Sequence, residues 1–127
     1  MDAKLMLVDD EEMIRESVEL LFQSEGIRIL TAAGGNECLA HLEAGFRGVI
    51  LMDVMMPWMN GWDTIRTMVE NHLYEGNIIV MLTALGAPDN NMEGIQEYVT
   101  DYITKPFDPD ALMKSVDYYL SLLDVEI

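Results

Sequence analysis

The sequence predicts an α/β domain built on a five-stranded parallel sheet with helices on both faces. Two observations predict it: short apolar runs alternate with segments of helical periodicity, and three of those runs are apolar at every position. Strands that are apolar throughout suit a sheet whose two faces are both covered. Because right-handed crossovers place each helix on one face or the other, the alternation predicts helical layers on both sides.

The five apolar runs are the predicted strands. They cover residues 5–8, 27–30, 49–52, 78–82 and, more weakly, 99–103. None approaches the length of a membrane span, and the apolar stretch near the amino terminus is too short for a signal peptide. We therefore expect a chain that crosses no bilayer and carries no targeting segment.

Amphipathic segments between these runs predict the helices. The first places Ile14, Val18 and Phe22 on one face and glutamates on the opposite face, as in a helix packed on a core. The second and third helices cover about 36–44 and 63–72, and a glycine follows each of them. These three segments supply the crossovers between the first four strands.

The last two predicted helices differ in quality. The fourth, over 89–96, contains Gly94 and two asparagines, and we expect it to be short. The fifth has a strong start, because Asp108 is a good N-cap and Pro109 takes the first helical position. Leucines and a valine then recur at helical spacing through Leu123.

Acidic residues dominate the charge of the 127-residue chain. Seven Lys and Arg against 23 Asp and Glu give 7 − 23 = −16. Such a chain repels phosphate backbones and anionic lipids, which disfavours direct binding to nucleic acid or a membrane surface. The single cysteine, Cys38, excludes an internal disulfide and a cysteine-based zinc site, as is typical of a reducing compartment. We expect one cytoplasmic domain.

Polar residues stand where four of the predicted strands end. Asp9 and Asp10 follow the first strand, Asp53 the third, Thr83 the fourth, and Lys105 the fifth. Because the carboxyl ends of parallel strands meet at one edge of the sheet, these five side chains should converge there. Three converging carboxylates repel one another and require a cation or raised pKa values. An all-oxygen donor set without histidine or thiolate favours Mg²⁺.

Lys105 and Thr83 add a positive charge and a hydroxyl to this acidic edge. Together with a metal, they suit a phosphoryl group on a carboxylate, because they neutralise or bond the oxygens that carry charge during transfer. Asp53 is the predicted nucleophile, since it ends a central apolar strand with the other groups on flanking strands.

Four stretches give the chain a family resemblance. They are LVDDE at 7–11, MDVMMP at 52–57 with Asn60-Gly61, LTA at 82–84, and DYITKPF at 101–107. In this order and spacing, they resemble a response-regulator receiver domain of two-component signal transduction over nearly the full length. The resemblance implies one receiver domain over residues 1–127 and a flavodoxin-like (βα)5 fold with strand order 2-1-3-4-5.

The resemblance also implies roles for the acidic residues. Asp53 would accept a phosphoryl group from a sensor histidine kinase or a phosphotransfer protein. Asp10 and Asp53 would ligate Mg²⁺ directly, Asp9 mainly through water, and the backbone carbonyl of Met55 would complete the protein ligands. Lys105 would pair with the phosphoryl oxygens.

A conformational switch is the second implication of the resemblance. Thr83 would move to bond the phosphoryl group, and Tyr102 would turn inward into the vacated space. The Lys105-Pro106 peptide bond would be cis. A downstream partner protein would bind the fourth helix, fifth strand and fifth helix, and a homodimer through the two helices stays open.

No turnover of an external substrate is expected. Met55 and Leu85 stand at positions that tune phosphoryl lifetime in the family, and neither side chain can bond an attacking water, so we expect slow self-dephosphorylation. A haloacid-dehalogenase-type phosphatase would need an aspartate at position 55, and a flavodoxin-like electron carrier would need a phosphate loop where residues 9–12 are acidic. The alternative kept open is a phosphorylation-independent scaffold, a pseudo-receiver. Whether the domain is free-standing or part of a longer protein also stays open.

Overall fold

A computed structural model of the protein describes residues 3–84 and 94–124. The strands are β1 (Leu5–Val8), β2 (Leu30–Ala32), β3 (Val49–Asp53), β4 (Ile78–Ala84) and β5 (Asp101–Lys105). The helices are α1 (Glu12–Ser24), α2 (Gly35–Glu43), α3 (Gly61–Glu70) and α4 (Pro109–Asp124), with a 3-10 turn at Gln96–Tyr98. In the described part of the chain, no helix is long and apolar enough to cross a membrane.

The five strands form one parallel sheet in the order β2-β1-β3-β4-β5. This confirms the predicted sheet and its 2-1-3-4-5 order. The register places Asp53 opposite Leu82, Thr83 opposite Thr104, and Ala84 opposite Lys105. The ends of β3, β4 and β5 therefore lie side by side at one edge of the sheet.

Alternate residues of each central strand enter two separate cores, which confirms helices on both faces. In β1, Met6 and Val8 join the core beneath α2 and α3, whereas Leu5 and Leu7 join the core beneath α1 and α4. The first core includes Trp62 of α3 among its fully buried side chains. This period of two explains why strands covered on both faces are apolar throughout.

Two predicted strand positions were wrong by two or three residues. β2 pairs through Leu30–Ala32 instead of 27–30, because its register with Met6–Val8 of β1 fixes where pairing occurs. Ile29 is buried in a core ahead of that strand, which accounts for the apolar signal before it. β5 runs through Asp101–Lys105 rather than 99–103, so Lys105 ends the strand instead of following it.

The helix predictions are confirmed for four of the five helices. The last one begins at Pro109 after Asp108, as predicted, and is labelled α4 here. Most of the predicted fourth helix, at 89–96, lies outside the described residues. Its described end, at 94–96, leads into the 3-10 turn.

Candidate functional site

Three carboxylates meet at the carboxyl edge of the sheet, as predicted. Asp9 directly follows β1 and is completely buried, Asp53 ends β3 and is 4% exposed, and Asp10 is exposed. One carboxylate oxygen from each lies within 4.8 Å of the others. In the residues that the structure describes, this is the one such acidic group that could hold a metal ion.

Lys105 places its ammonium group among these carboxylates. Its Nζ lies 2.7 Å from Oδ2 of Asp9, 3.4 Å from Oδ1 of Asp53 and 3.8 Å from Oε1 of Glu11. The Lys105 side chain is itself largely buried. One cation therefore contacts three acids in a partly desolvated pocket, where ion pairs are stronger than at an open surface.

Backbone contacts fix Asp9 in its buried position. Its Oδ1 accepts a hydrogen bond of 2.9 Å from the backbone N–H of Glu11. The Asp9 N–H donates to the carbonyl of Ala32 at 3.0 Å, and the Asp9 carbonyl accepts from Nη1 of Arg15 at 2.8 Å. Asp9 is thus held by β2, by α1 and by Lys105, whereas Asp10 faces solvent.

Burial and charge shift the pKa values of the two central groups. Burial raises the pKa of Asp53 to about 6, with a further contribution from the Asp9 charge, while Lys105 and the N–H of Met55 partly offset the rise. Burial by itself disfavours the charge on Lys105. The hydrogen bond to Asp9 and the charges of Asp53 and Asp9 outweigh that effect and raise the Lys105 pKa.

The loop after β3 is shaped by Asn60 and Gly61. Asn60 is the N-cap of α3, where its side-chain oxygen accepts from the Asp63 N–H at 2.9 Å. The Gly61 N–H donates to the carbonyl of Val54 at 2.9 Å. A Cβ at Gly61 would lie 2.5 Å from the Asp53 carbonyl oxygen, so only glycine lets α3 start this close to the acidic site.

Two apolar side chains of the same loop face solvent. Met55 is 71% exposed, and Trp58 is fully exposed with a φ of 71°. A positive φ is uncommon for a residue other than glycine. The loop that follows Asp53 therefore exposes two apolar side chains to solvent.

Thr83 lies on β4 and Tyr102 on β5, the two strands that continue the sheet beyond β3, on the side away from β1 and Asp9. Thr83 is half-buried, next in sequence to Leu82, the register partner of Asp53. Tyr102 is 45% exposed, and its ring centroid lies 6.3 Å from that of Trp62. The Lys105-Pro106 peptide bond is cis, which confirms that prediction.

Sequence reasoning assigned no role to three residues that contribute to this region. Glu11 donates its N–H to Asp9 and contacts Lys105, and Arg15 bonds the Asp9 backbone. Trp62 carries the one buried side-chain polar atom, Nε1, that lacks a hydrogen-bond partner in the described structure. The acidic run 9–12 could have pointed to Glu11, whereas nothing in the local sequence marks Trp62.

The arrangement combines three carboxylates and one ammonium group. Charge at Asp53 is stabilised by Lys105 and opposed by Asp9, so the pocket can take up a hard cation and then an anionic group beside it. Comparisons with known proteins identify the family of the chain. A response regulator receiver domain model matches residues 5–117, and the chain belongs to this family of two-component signalling domains.

Individual relatives show the same family. The chain is 37% identical over 116 residues to the transcriptional regulatory protein ResD of Bacillus subtilis, covering 91% of this chain and 47% of that protein. It is 32% identical over 109 residues to the response regulator Rre1 of Synechocystis sp., covering 85% and 47%. The chain thus spans about half the length of these curated relatives.

Solved structures of similar length match over almost the whole chain. A CheY-like response regulator receiver domain protein from Methanospirillum hungatei superposes with a TM-score of 0.91 at 45% identity, covering 96% of this chain and 97% of that chain. The chemotaxis protein CheY4 of Vibrio cholerae gives a TM-score of 0.80 at 35% identity, covering 94% and 100%. Both matches confirm the flavodoxin-like receiver fold.

Proposed function

We propose that this domain accepts a phosphoryl group on Asp53 and signals its phosphorylation state to a partner protein. The observation that carries the proposal is the position of the Asp53 carboxylate, 3.4 Å from Lys105 and within 4.8 Å of two more carboxylates. A buried acid with this surrounding can act as a nucleophile once a cation balances the local negative charge. Nothing in the described site favours a phosphorylation-independent scaffold.

The carboxylate oxygens of Asp9, Asp10 and Asp53 are the kind of donor that Mg²⁺ prefers. Asp10 and Asp53, with the backbone carbonyl of Met55, would hold the ion directly, and oxygen donors from few residues leave room for water. Asp9 suits a water-mediated role, because one of its oxygens is engaged by Lys105 and the other by Glu11. When bound, the ion would neutralise charge on the transferring phosphoryl group.

The phosphoryl donor is a phosphohistidine of a sensor histidine kinase or a phosphotransfer protein. An oxygen of Asp53 attacks phosphorus as the bond from phosphorus to the imidazole nitrogen breaks, and the imidazole leaves with that electron pair. Lys105 holds one phosphoryl oxygen by an ion pair, and the hydroxyl of Thr83 donates to another. The product is an aspartyl phosphate on Asp53, with no external substrate turned over.

Movement of Thr83 toward the phosphoryl group provides the signal. The half-buried threonine leaves space that Tyr102, 45% exposed, fills by turning inward. A contact made only in the phosphorylated state biases an equilibrium between two arrangements. Of the elements expected to bind a downstream partner, the described structure includes β5 and the last helix, α4. The α4 helix exposes the side chains of Tyr118 and Leu122 to a partner or a second copy.

The aspartyl phosphate should be long-lived. Met55 lies two residues after Asp53, and its exposed thioether cannot orient a water for attack on phosphorus. Leu85, the second apolar position in this expectation, lies outside the described residues. A cytoplasmic location fits a domain of this kind.

Intact-mass measurement after incubation with acetyl phosphate and Mg²⁺ tests the assignment. We expect one phosphoryl adduct on the wild type and on Asp117→Asn, a matched change of an exposed carboxylate on α4, and none on Asp53→Asn. An unmodified wild type would favour the scaffold instead. An adduct that persists on Asp53→Asn would place the acceptor elsewhere.

A further inference from the structure

A cavity of about 520 Å³ lies at the amino ends of the strands, at the opposite end of the sheet from the carboxylates. Lys4 precedes β1 and Arg28 precedes β2, so both stand at the amino ends of strands whose carboxyl ends approach the acidic site. The cavity is also lined by Phe46 and Arg47, which follow α2, and by His41 of α2. We call this space the basic cavity.

Positive charge is concentrated in the basic cavity. Three of the seven Lys and Arg of the chain line it, namely Lys4, Arg28 and Arg47. None of the described residues in its lining is acidic. At physiological ionic strength, charges are screened beyond about 8 Å, so this local cluster governs binding here in spite of the net charge of −16.

Hydrogen bonds hold the Arg47 side chain in place before any ligand binds. Nη1 of Arg47 donates to the carbonyl of Leu42 at 3.1 Å and to that of Phe46. These bonds use one nitrogen of a guanidinium that has five N–H donors. Preorganised donors reduce the entropy lost on binding an anion.

The walls between these cations are partly apolar. Ile29, Leu30 and Phe46 line the cavity beside Arg47 and Lys4. The volume falls in the range of sites for small organic molecules. An occupant should therefore combine an apolar or planar body with a negatively charged group.

We propose that the basic cavity binds a small organic phosphate of about nucleotide size. A phosphate group carries between one and two negative charges near neutral pH, which matches the Arg47 guanidinium and the Lys4 ammonium better than a single carboxylate does. Guanidinium groups bind phosphate oxygens in a bidentate way. The body of the ligand would lie against Phe46 and Ile29. This site is independent of the proposed phosphorylation of Asp53.

Titration of the ¹⁵N-labelled protein with AMP, followed by NMR in EDTA, tests the proposal. EDTA removes divalent ions that could draw the phosphate to the acidic edge. We expect saturable shifts of the Ile29, Gly45 and Phe46 amides, with at least about tenfold weaker binding of adenosine, which lacks the anion, and of inorganic phosphate, which lacks the body.

Charge-neutral variants give the second arm of the test. Arg47→Gln should weaken AMP binding at least about tenfold. Because Arg47 also bonds the end of α2, Lys4→Gln, at an exposed position, serves as the variant that keeps the fold. Lys114→Gln, an equal loss of charge on α4, should bind as the wild type does. The proposal is overturned by wild-type affinity in Lys4→Gln and Arg47→Gln, by equal binding of adenosine or phosphate, or by shifts confined to residues around Asp53.

Discussion

Replacement of Asp53 by asparagine should stabilise the metal-free protein. The carboxylate is 4% exposed and shares its pocket with Asp9 and Asp10. Its pKa rises from 3.8 to about 6 in the folded state, which corresponds to ionisation that is about 3 kcal/mol less favourable than in the unfolded chain. Asparagine removes this cost but weakens the hydrogen bonds from Lys105 and Met55. We expect a net gain of about 2 kcal/mol in the free energy of unfolding.

The pH dependence of this gain has a defined sign. Well below pH 3.8, Asp53 is protonated in both the folded and the unfolded chain, so its ionisation costs no stability. Between about pH 4 and 6, the unfolded chain ionises first and the cost to the wild type grows. Above about pH 6, the folded carboxylate is also ionised and the cost is constant. The advantage of Asp53→Asn should thus be complete at pH 8 and small at pH 4.5.

Urea denaturation in EDTA at pH 8 and at pH 4.5 measures this difference. Asp117→Asn, which removes an exposed carboxylate, should change stability by less than about 0.5 kcal/mol at either pH. Adding Mg²⁺ at pH 8 should stabilise the wild type more than Asp53→Asn, because the variant has lost a proposed ligand. Equal stabilities of Asp53→Asn and wild type at pH 8 in EDTA would refute the reasoning. So would a gain of the same size at both pH values.

Three further predictions follow from the same pocket. Lys105→Gln should lower the free energy of unfolding by about 3 kcal/mol in EDTA at pH 8, because buried Asp9 loses its cation. Urea denaturation with and without Mg²⁺ measures this loss of stability. Gly61→Ala should lower the free energy of unfolding by about 2 kcal/mol or more, because its Cβ would meet the Asp53 carbonyl oxygen at 2.5 Å. Thermal unfolding measures this loss against Gly34→Ala, whose added Cβ meets no described atom within 4 Å. Mg²⁺ affinity measured by tryptophan fluorescence should fall up to about tenfold per pH unit below pH 6 as Asp53 takes up a proton, and a pH-independent affinity would contradict this.

Periodicity predicted the fold because the strands are buried on both faces and the helices on one. It did not locate β2 and β5 correctly, since strand ends depend on pairing with neighbours. Ile29 is as apolar as a strand residue and is buried, yet the pairs to β1 begin at Leu30. At β5, polar Thr104 and Lys105 still pair with β4. An edge strand tolerates such polar residues, because its side chains are less completely covered by helices than those of the central strands.

The acidic site was predictable because topology brings strand ends together whatever lies between them. Asp9 and Lys105 are 96 residues apart in sequence and 2.7 Å apart in space. Trp62 was not predictable, because residues of several elements surround it, Tyr102 of β5 among them, and among the described residues its indole N–H has no hydrogen-bond partner. Its surroundings depend on packing angles between elements, and sequence spacing contains no measure of those angles.

Parallel topology also brings together the residues at the amino ends of neighbouring strands. Lys4 immediately precedes β1, and Arg28 lies two residues before the observed start of β2. Because β1 and β2 are neighbours in the parallel sheet, both residues stand at the same end of it. Arg47 precedes β3, the neighbour of β1 on its other side. Opposite charges thus gather at opposite ends of one parallel sheet. The net charge of the chain therefore does not predict which ligands either end can bind, since the local clusters lie farther apart than the screening length.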